Sequence, residues 1–294
     1  MDRTGMSRWL AIAAVGALVV VVAVLAVVAY EHAHPPSPTG KAEPVPTFTL
    51  GVRVPTPTPT VDPDVVPPAQ RRLLATGGEL WWRTTVGACN GPAPIVERST
   101  DRGATWTTVT PNYLGISQVQ TLSAFSARDA ELVAAMTACD AQALRTYTRG
   151  EFWESYPDVL AASRYVDPKD AGSVRLPSGP VAAPCKAAWG LHAEGPVVAL
   201  VCDELAWSWS GSEWLQLAPE GVVALAIDGS DVLVAHEDAG CPGVAVSRIA
   251  VSAPDTATPI GCAESADPTA PIAIDDAGGS VTMWTGPTFL EITP

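Results

Sequence analysis

Residues 99–106 read Ser-Thr-Asp-Arg-Gly-Ala-Thr-Trp, which puts a hydroxyl, a carboxylate, a guanidinium and an indole into one short stretch. Such a set can serve acid–base chemistry or it can close a hairpin, and the spacing favours the corner. Ser99 and Asp101 are placed to accept hydrogen bonds from nearby backbone donors. Gly103 takes a positive φ at little cost. Thr105 and Trp106 open the outgoing strand, where burying the indole stabilises by about 3 kcal/mol. Asp129, Asp228, Asp231, Asp275 and Asp276 fall in short turns between apolar runs and read as turn formers, although glycoside hydrolysis would need two carboxylates facing each other. His192 and His236 are isolated and lack the spacing of metal ligands. His32 and His34 flank one residue beside a long apolar run. No GxSxG, P-loop, GxGxxG or HExxH pattern occurs, so no catalytic residue, metal or cofactor is assigned.

The elements around these residues repeat. From residue 71 on, apolar runs of four to seven residues alternate with turn residues, which reads as all-β. Four segments share a frame of Gly, two residues, an aromatic, two residues, an apolar residue and then a Pro (Pro111, Pro157, Pro219 and Pro294). They begin at Gly103, Gly150, Gly211 and Gly286 and carry Trp106, Trp153, Trp214 and Phe289. Between them lie strand–turn–strand segments beginning near residues 72, 121, 187, 222 and 270. A four-stranded unit recurring every 40–50 residues, roughly, fits a β-propeller, whose blades cover each other's faces in a ring. The expectation is a small propeller of about five four-stranded blades over residues 71–294. The last blade reads as one strand short, and Phe48–Val54 could supply the missing outer strand. Residues 161–184, rich in Pro, Gly and charge, read as the longest loop and a place to seek partner binding.

Ser99, Asp101, Gly103, Thr105 and Trp106 match S-x-D-x-G-x-T-W, so the chain resembles the Asp-box, or sialidase-type (BNR), repeat propellers. The other three repeats keep the Gly and lose the Asp. The resemblance implies a structural corner on hairpins away from the ligand-binding face. It also raises sialidase activity, which would require an arginine triad, a Tyr–Glu pair and an acid Asp. The family's Arg-Ile-Pro signature is absent, and Arg71, Arg72, Arg83, Arg145 and Arg248 lie outside recognisable sialidase contexts. Tyr113, Tyr147, Tyr156 and Tyr165 are the tyrosines of the domain.

Residues 9–30 contain no charge and would span about 33 Å as a helix, enough for a hydrocarbon core of about 30 Å. The run is longer than the ~7–15 residues of a cleaved signal peptide, so an uncleaved signal-anchor is expected. Arg3 and Arg8 precede it and Glu31 follows, which leaves residues 1–8 in the cytoplasm and the rest outside. Residues 31–70 form a Pro/Thr-rich extracytoplasmic spacer, with Thr56, Thr58 and Thr60 open to O-glycosylation. All six cysteines, Cys89, Cys139, Cys185, Cys202, Cys241 and Cys262, lie beyond the anchor and are expected as disulfides. On the propeller scheme the simplest pairs are Cys89–Cys139 between blades, Cys185–Cys202 within one, and Cys241–Cys262 between blades. All six then fall on the face opposite residues 99–106. A net charge of −14 without a basic cluster excludes nucleic-acid binding. Scarce Lys with abundant Ala, Val and Pro suggests a GC-rich bacterial source. Ten tryptophans are many for this length; Trp81, Trp82, Trp189, Trp207 and Trp209 lie in or beside strands, most are expected in the interblade core, and because Trp81 and Trp82 point to opposite sheet faces one of them is expected to be partly exposed. The expected function is a single-pass, membrane-tethered binding or scaffold module facing an envelope protein or glycan. A sialidase-like glycoside hydrolase and an assembly factor for a membrane complex are the alternatives.

Overall fold

Six small antiparallel sheets follow one another along the chain, each a meander whose spatial order is its sequence order. They belong to a computed structural model that describes residues 20–27, 30 and 66–293. Blade one holds β1 (Arg72–Ala75), β2 (Trp81–Thr85), β3 (Val96–Ser99) and β4 (Thr107–Thr108). Blade two holds β5 (Ile116–Ala124), β6 (Ala130–Met136), β7 (Ala141–Thr146) and β8 (Glu154–Ser155), followed by a short helix α1 (Pro157–Ala162). Blade three has only β9 (Tyr165–Asp167), β10 (Asp170–Leu176) and β11 (Gly179–Ala182). Blade four comprises β12 (Trp189–Glu194), β13 (Val197–Cys202), β14 (Leu205–Trp209) and β15 (Trp214–Glu220). Blade five comprises β16 (Val222–Asp228), β17 (Asp231–Asp238), β18 (Cys241–Ala250) and β19 (Ala257–Ala263), and blade six β20 (Ile272–Asp276), β21 (Val281–Thr285) and β22 (Thr288–Ile292). The first strands touch in sequence around a circle, and β20 returns to β1, so the ring is closed.

The ring therefore has six blades, where the repeat spacing predicts five. The sixth comes from residues 161–184, which the composition assigns to a loop. Only Val166 and Val174 are fully buried in β9–β11, so the blade shows almost no apolar alternation to read. The five hairpins expected near residues 72, 121, 187, 222 and 270 are all present as the first two strands of their blades. Among the described residues the last blade has three strands, in line with the strand its sequence lacks. Residues 48–54, the candidate closing strand, lie outside the described residues, as do the tail, the linker with Thr56, Thr58 and Thr60, and His32 and His34. Residues 20–27 and 30 of the expected span are helical and exposed. The rest of that span is not among the described residues, and within them no helix is long and apolar enough to cross a membrane.

Apolar side chains fill the seams between blades. Trp82, Leu73 and Val96 pack with Leu132 and Leu144 between blades one and two. Leu191 and Leu200 meet Val166 and Val174 between blades three and four. Val201 and Leu217 meet Leu225 and Val234 at the next seam, and Leu233 and Val246 meet Ile274 and Met283 at the one after. Each sheet is too small to bury both faces alone, so this mutual covering is what stabilises it.

The glycine–aromatic corners act as joints at these seams. In the first, Ser99 Oγ accepts from the backbone N–H of Asp101 (3.2 Å) and Gly103 (2.8 Å) and donates to Asp101 Oδ1 (2.7 Å). Asp101 in turn accepts from Thr105 N–H (2.8 Å) and Oγ1–H (2.6 Å), which holds its carboxyl down at about 2. Gly103 adopts φ 86°, and a Cβ there would stand 3.2 Å from the Trp81 ring. The second corner repeats the device without the acid. Thr146 Oγ1 accepts from Gly150 N–H (2.8 Å), and Thr148 Oγ1 accepts from Phe152 N–H (2.8 Å). The backbone matches too: φ is 54° and 86° at Arg102 and Gly103, and 57° and 85° at Arg149 and Gly150. Blade four shortens the corner to a turn closed by Ser210, and blade six to the two residues between Thr285 and Thr288. Trp106, Trp153 and Trp214 occupy equivalent places, each facing the preceding blade. Trp106 stacks on Phe289 (5.3 Å), Trp153 meets Trp82 edge-on (5.9 Å), and Trp214 Nε1–H donates to Ala182 O (2.8 Å).

The seam that closes the ring, between blades six and one, is built differently. Its apolar core is small: Leu74, Ala273 and Trp284 are its buried residues. Cations supply the rest. The Arg72 guanidinium lies 4.0 Å from the Trp284 ring, and that of Arg83 lies 4.2 Å from Trp106 and 4.7 Å from Trp284. Glu97 neutralises Arg83 at 2.7 Å. At the other end of β1, Asp275 Oδ2 accepts from Thr76 N–H (2.5 Å) and Oγ1–H (2.8 Å). Burial pushes the Asp275 carboxyl up to about 6.

Three disulfides sit at the opposite ends of the strands from the first corner. Cys89–Cys139 joins the β2–β3 and β6–β7 connections of adjacent blades. Cys185–Cys202 ties the segment entering blade four to that blade's β13–β14 turn. Cys241–Cys262 lies inside blade five, where a link between two blades is expected. Cys262 is still in the outer strand, paired opposite Ala245, so the bond joins β18 to β19.

Two outcomes follow from the joints. Ser99→Ala strands two backbone donors and should lower unfolding free energy by about 1–3 kcal/mol in urea titration, whereas Ser210→Ala, in an exposed turn, should cost under about 1 kcal/mol. Asp275 has a folded pKa of about 6, above its unfolded 3.8, so its contribution is full below pH 3.8 and lost as pH rises through 6. Wild type should therefore lose about 3 kcal/mol relative to Asp275→Asn between pH 3.5 and 7, measured by denaturant unfolding at each pH.

Candidate functional site

On the disulfide face, the axis of the ring opens into a cavity whose centre is a cation on an indole. The 3-10 turn Pro68–Gln70 delivers Arg71 to the mouth. Its backbone is fixed to the end of β2 by Val86 N–H donating to Arg71 O (2.8 Å) and Gly87 N–H donating to Ala69 O (3.1 Å). Trp189 is the first residue of β12, and Gly190 after it takes φ 58° at a break in the strand register. The Arg71 guanidinium lies 4.4 Å from the Trp189 ring.

This pair divides the opening into two lobes of about 300 and 170 Å3. The larger is walled by Val201, Val222, Val223 and Ile272 and carries Asp203 and Glu204. Gln118, Gln120 and Asp167 line the smaller, and the Gln120 Nε2 group is buried there with no hydrogen-bond partner among the described residues. Asp203 and Glu204 form the whole two-residue turn between Cys202 and Leu205, at φ 51° and 60°. Left-handed backbone at two non-glycine residues is costly and persists only where the surroundings enforce it. Here Cys185–Cys202 anchors one end, and Val222 N–H donates to Glu204 O (2.7 Å) at the other.

The electrostatics are asymmetric. Desolvation lowers the Arg71 pKa to about 10, so the group stays charged at neutral pH. Among the described residues, no hydrogen bond or ion pair reaches its side chain. A half-buried cation held only by an aromatic face is a ready partner for an anion. The apolar walls then suit the body carrying that anion, and Asp203 and Glu204 can accept hydrogen bonds from its donors.

The other residues singled out from the sequence scatter. Of the five arginines, Arg71 alone lines this cavity. Arg72 and Arg83 belong to the closing seam, Arg145 pairs with Glu131 (2.6 Å), and Arg248 pairs with Asp228 and with Asp231 (3.5 Å). They do not assemble the triad a sialidase site needs. Asp129, Asp228, Asp231 and Asp276 stand at the first hairpin turns of their blades, whereas Asp275, read as a turn former, lies inside β20 and bonds Thr76 across the closing seam. His236 is buried between Ser247 Oγ and Glu237 O, both at 2.9 Å. His192 walls a separate cavity between blades two and four, where burial pushes it down to about 4. Among the described residues, no group of three His, Cys, Asp or Glu side chains is arranged to hold a metal. Trp82 is fully buried and Trp81 half-buried, as their opposite faces require. Sequence reasoning names Arg71 and Trp189 separately but does not join them. The Asp203–Glu204 pair is passed over, although two polar residues between strand-ending Cys202 and Leu205 are a hairpin signal.

No protein-family model matches the chain, and no curated protein matches it. Solved structures do. AofleA from Arthrobotrys oligospora aligns at 12% identity over 77% of this chain and 87% of its own, with a TM-score of 0.42. The SapL1 lectin, solved with alpha methyl fucoside, aligns at 10% identity over 79% and 99%, TM-score 0.45. YCF48 from Cyanidioschyzon merolae aligns at 14% identity over 74% and 68%, TM-score 0.31.

Proposed function

We propose that the chain is a membrane-tethered, extracytoplasmic binding module whose propeller captures an envelope partner at the axial cavity. The group it takes there is a carboxylate or similar anion on a small apolar body. One observation carries this reading: Arg71 is a charged, half-buried side chain in this cavity, laid on Trp189 and reached by no hydrogen bond or ion pair among the described residues. The uncharged run at residues 9–30 supports the tether, and three disulfides support an oxidising compartment. The Pro-rich spacer would hold the propeller away from the bilayer.

Ligand-observed NMR on the full chain tests the site, with N-acetyl-leucine and its C-terminal amide as probes. The free carboxylate should bind and the amide should not, and Arg71→Gln should weaken carboxylate binding at least about tenfold. Equal binding of acid and amide would remove the basis of the proposal. Protease added to intact cells should release the propeller and leave a membrane-bound stub. Protection of residues 71–294 would contradict the topology.

A further inference from the structure

A second, independent site lies at the closing seam on the opposite face of the ring. The first hairpin turns of blades one and six and the strand β22 enclose a cleft of about 680 Å3. Two half-buried aromatic rings, Trp81 and Phe289, form its floor, with centroids 6.1 Å apart and planes tilted by 54°. Gly103 lets the first corner lie against both: a Cβ there would stand 3.2 Å from the Trp81 ring and 3.5 Å from that of Phe289. The same corner puts Arg102, in its left-handed conformation, on the cleft wall. Facing groups are carboxylates: Asp276 at the end of β20, and Glu291 on β22, whose Oε1 accepts from Ser280 Oγ–H (2.8 Å).

From this arrangement we infer that the seam cleft is a saccharide site for a neutral pyranose. A sugar ring offers an apolar C–H face that covers an indole or phenyl ring, and an edge of hydroxyls that both donate and accept. Asp276 and Glu291 accept from vicinal hydroxyls, and Arg102 donates to one, all as charge-assisted bonds. Two carboxylates against one guanidinium leave the cleft net negative, which disfavours acidic sugars, phosphates and sulfates. Its volume falls within the roughly 300–1,000 Å3 of small-molecule sites. Nothing in it depends on Arg71, so the two sites stand or fall separately.

Saturation-transfer NMR with the full-length protein tests it, using methyl glycosides of glucose, galactose, mannose and N-acetylglucosamine, with N-acetylneuraminic acid as the acidic comparator. At least one neutral glycoside should receive saturation from aromatic protons, and the acidic sugar should not. Glu291→Gln should weaken that binding about tenfold. Gly77 lines the cleft and a Cβ there meets no atom within 4 Å, so Gly77→Trp should fill the cleft, leave the melting temperature unchanged and abolish binding. Arg71→Gln should leave it unaltered. Absence of transfer to every neutral glycoside, preference for the acidic sugar, or undiminished binding in both Glu291→Gln and Gly77→Trp would overturn the assignment. If Gly77→Trp fails to fold, Glu291→Gln alone decides.

Discussion

The burial of one small sheet's face against the next is the interaction on which everything else rests. A three- or four-stranded sheet with two apolar faces is not stable in water by itself, so each blade needs a neighbour on both sides. Of the six seams, four meet this need with aliphatic and aromatic packing of the usual kind, while no buried apolar cluster spans blades two and three among the described residues. The closing seam has only a small apolar core and relies on arginines against Trp284 and Trp106, together with the bonds from Thr76 to Asp275. That seam joins the two ends of the described ring, and no shared strand is seen to hold it. Two nitrogens of the half-buried Arg72 are sealed there without a hydrogen-bond partner among the described residues, and Asp275 is held away from its ordinary pKa. Stability has thus been set against electrostatic cost where the ring must meet itself.

Both candidate sites follow from closure. The axial cavity, with its two lobes, draws its walls from all six blades, and the seam cleft draws its walls from one and six. Neither exists in an open chain of blades. The disulfides add rigidity at the axial face: Cys185–Cys202 fixes the strained Asp203–Glu204 turn at the rim, and Cys89–Cys139 couples the first two blades. On the other face the Ser99–Asp101 corner does similar work for Trp81 and Arg102 with hydrogen bonds alone.

Much of this was legible in the residues because the fold writes its rule locally. A turn needs Ser, Asp and Gly in fixed positions, and an inner hairpin needs two apolar runs around a short polar break. The corner at 99–106 and five of the six inner hairpins could be read that way. Blade three could not, since its strands bury little beyond Val166 and Val174 and its Pro and Gly positions mimic a loop. Cysteine pairing followed from which strand ends share a face, and the position of Cys262 slipped because the end of an outer strand leaves no mark in the sequence. The sites were the least legible part. Arg71 and Trp189 come from different blades, as do Trp81 and Glu291, and only the closed ring sets them side by side. An unpaired arginine carries no local signal that distinguishes it from a solvated one.

The most direct test of the account is hydrogen–deuterium exchange, followed by mass spectrometry, across the closing seam at neutral pH. If blades one and six hold the ring shut, amides of β1, of the adjoining Thr76, and of β20 and β21 should exchange together, at the rate of global unfolding and no faster than those of blades four and five. Rapid exchange of residues 272–285 while the remaining blades stay protected would show that the ring is open there, and the account would fail.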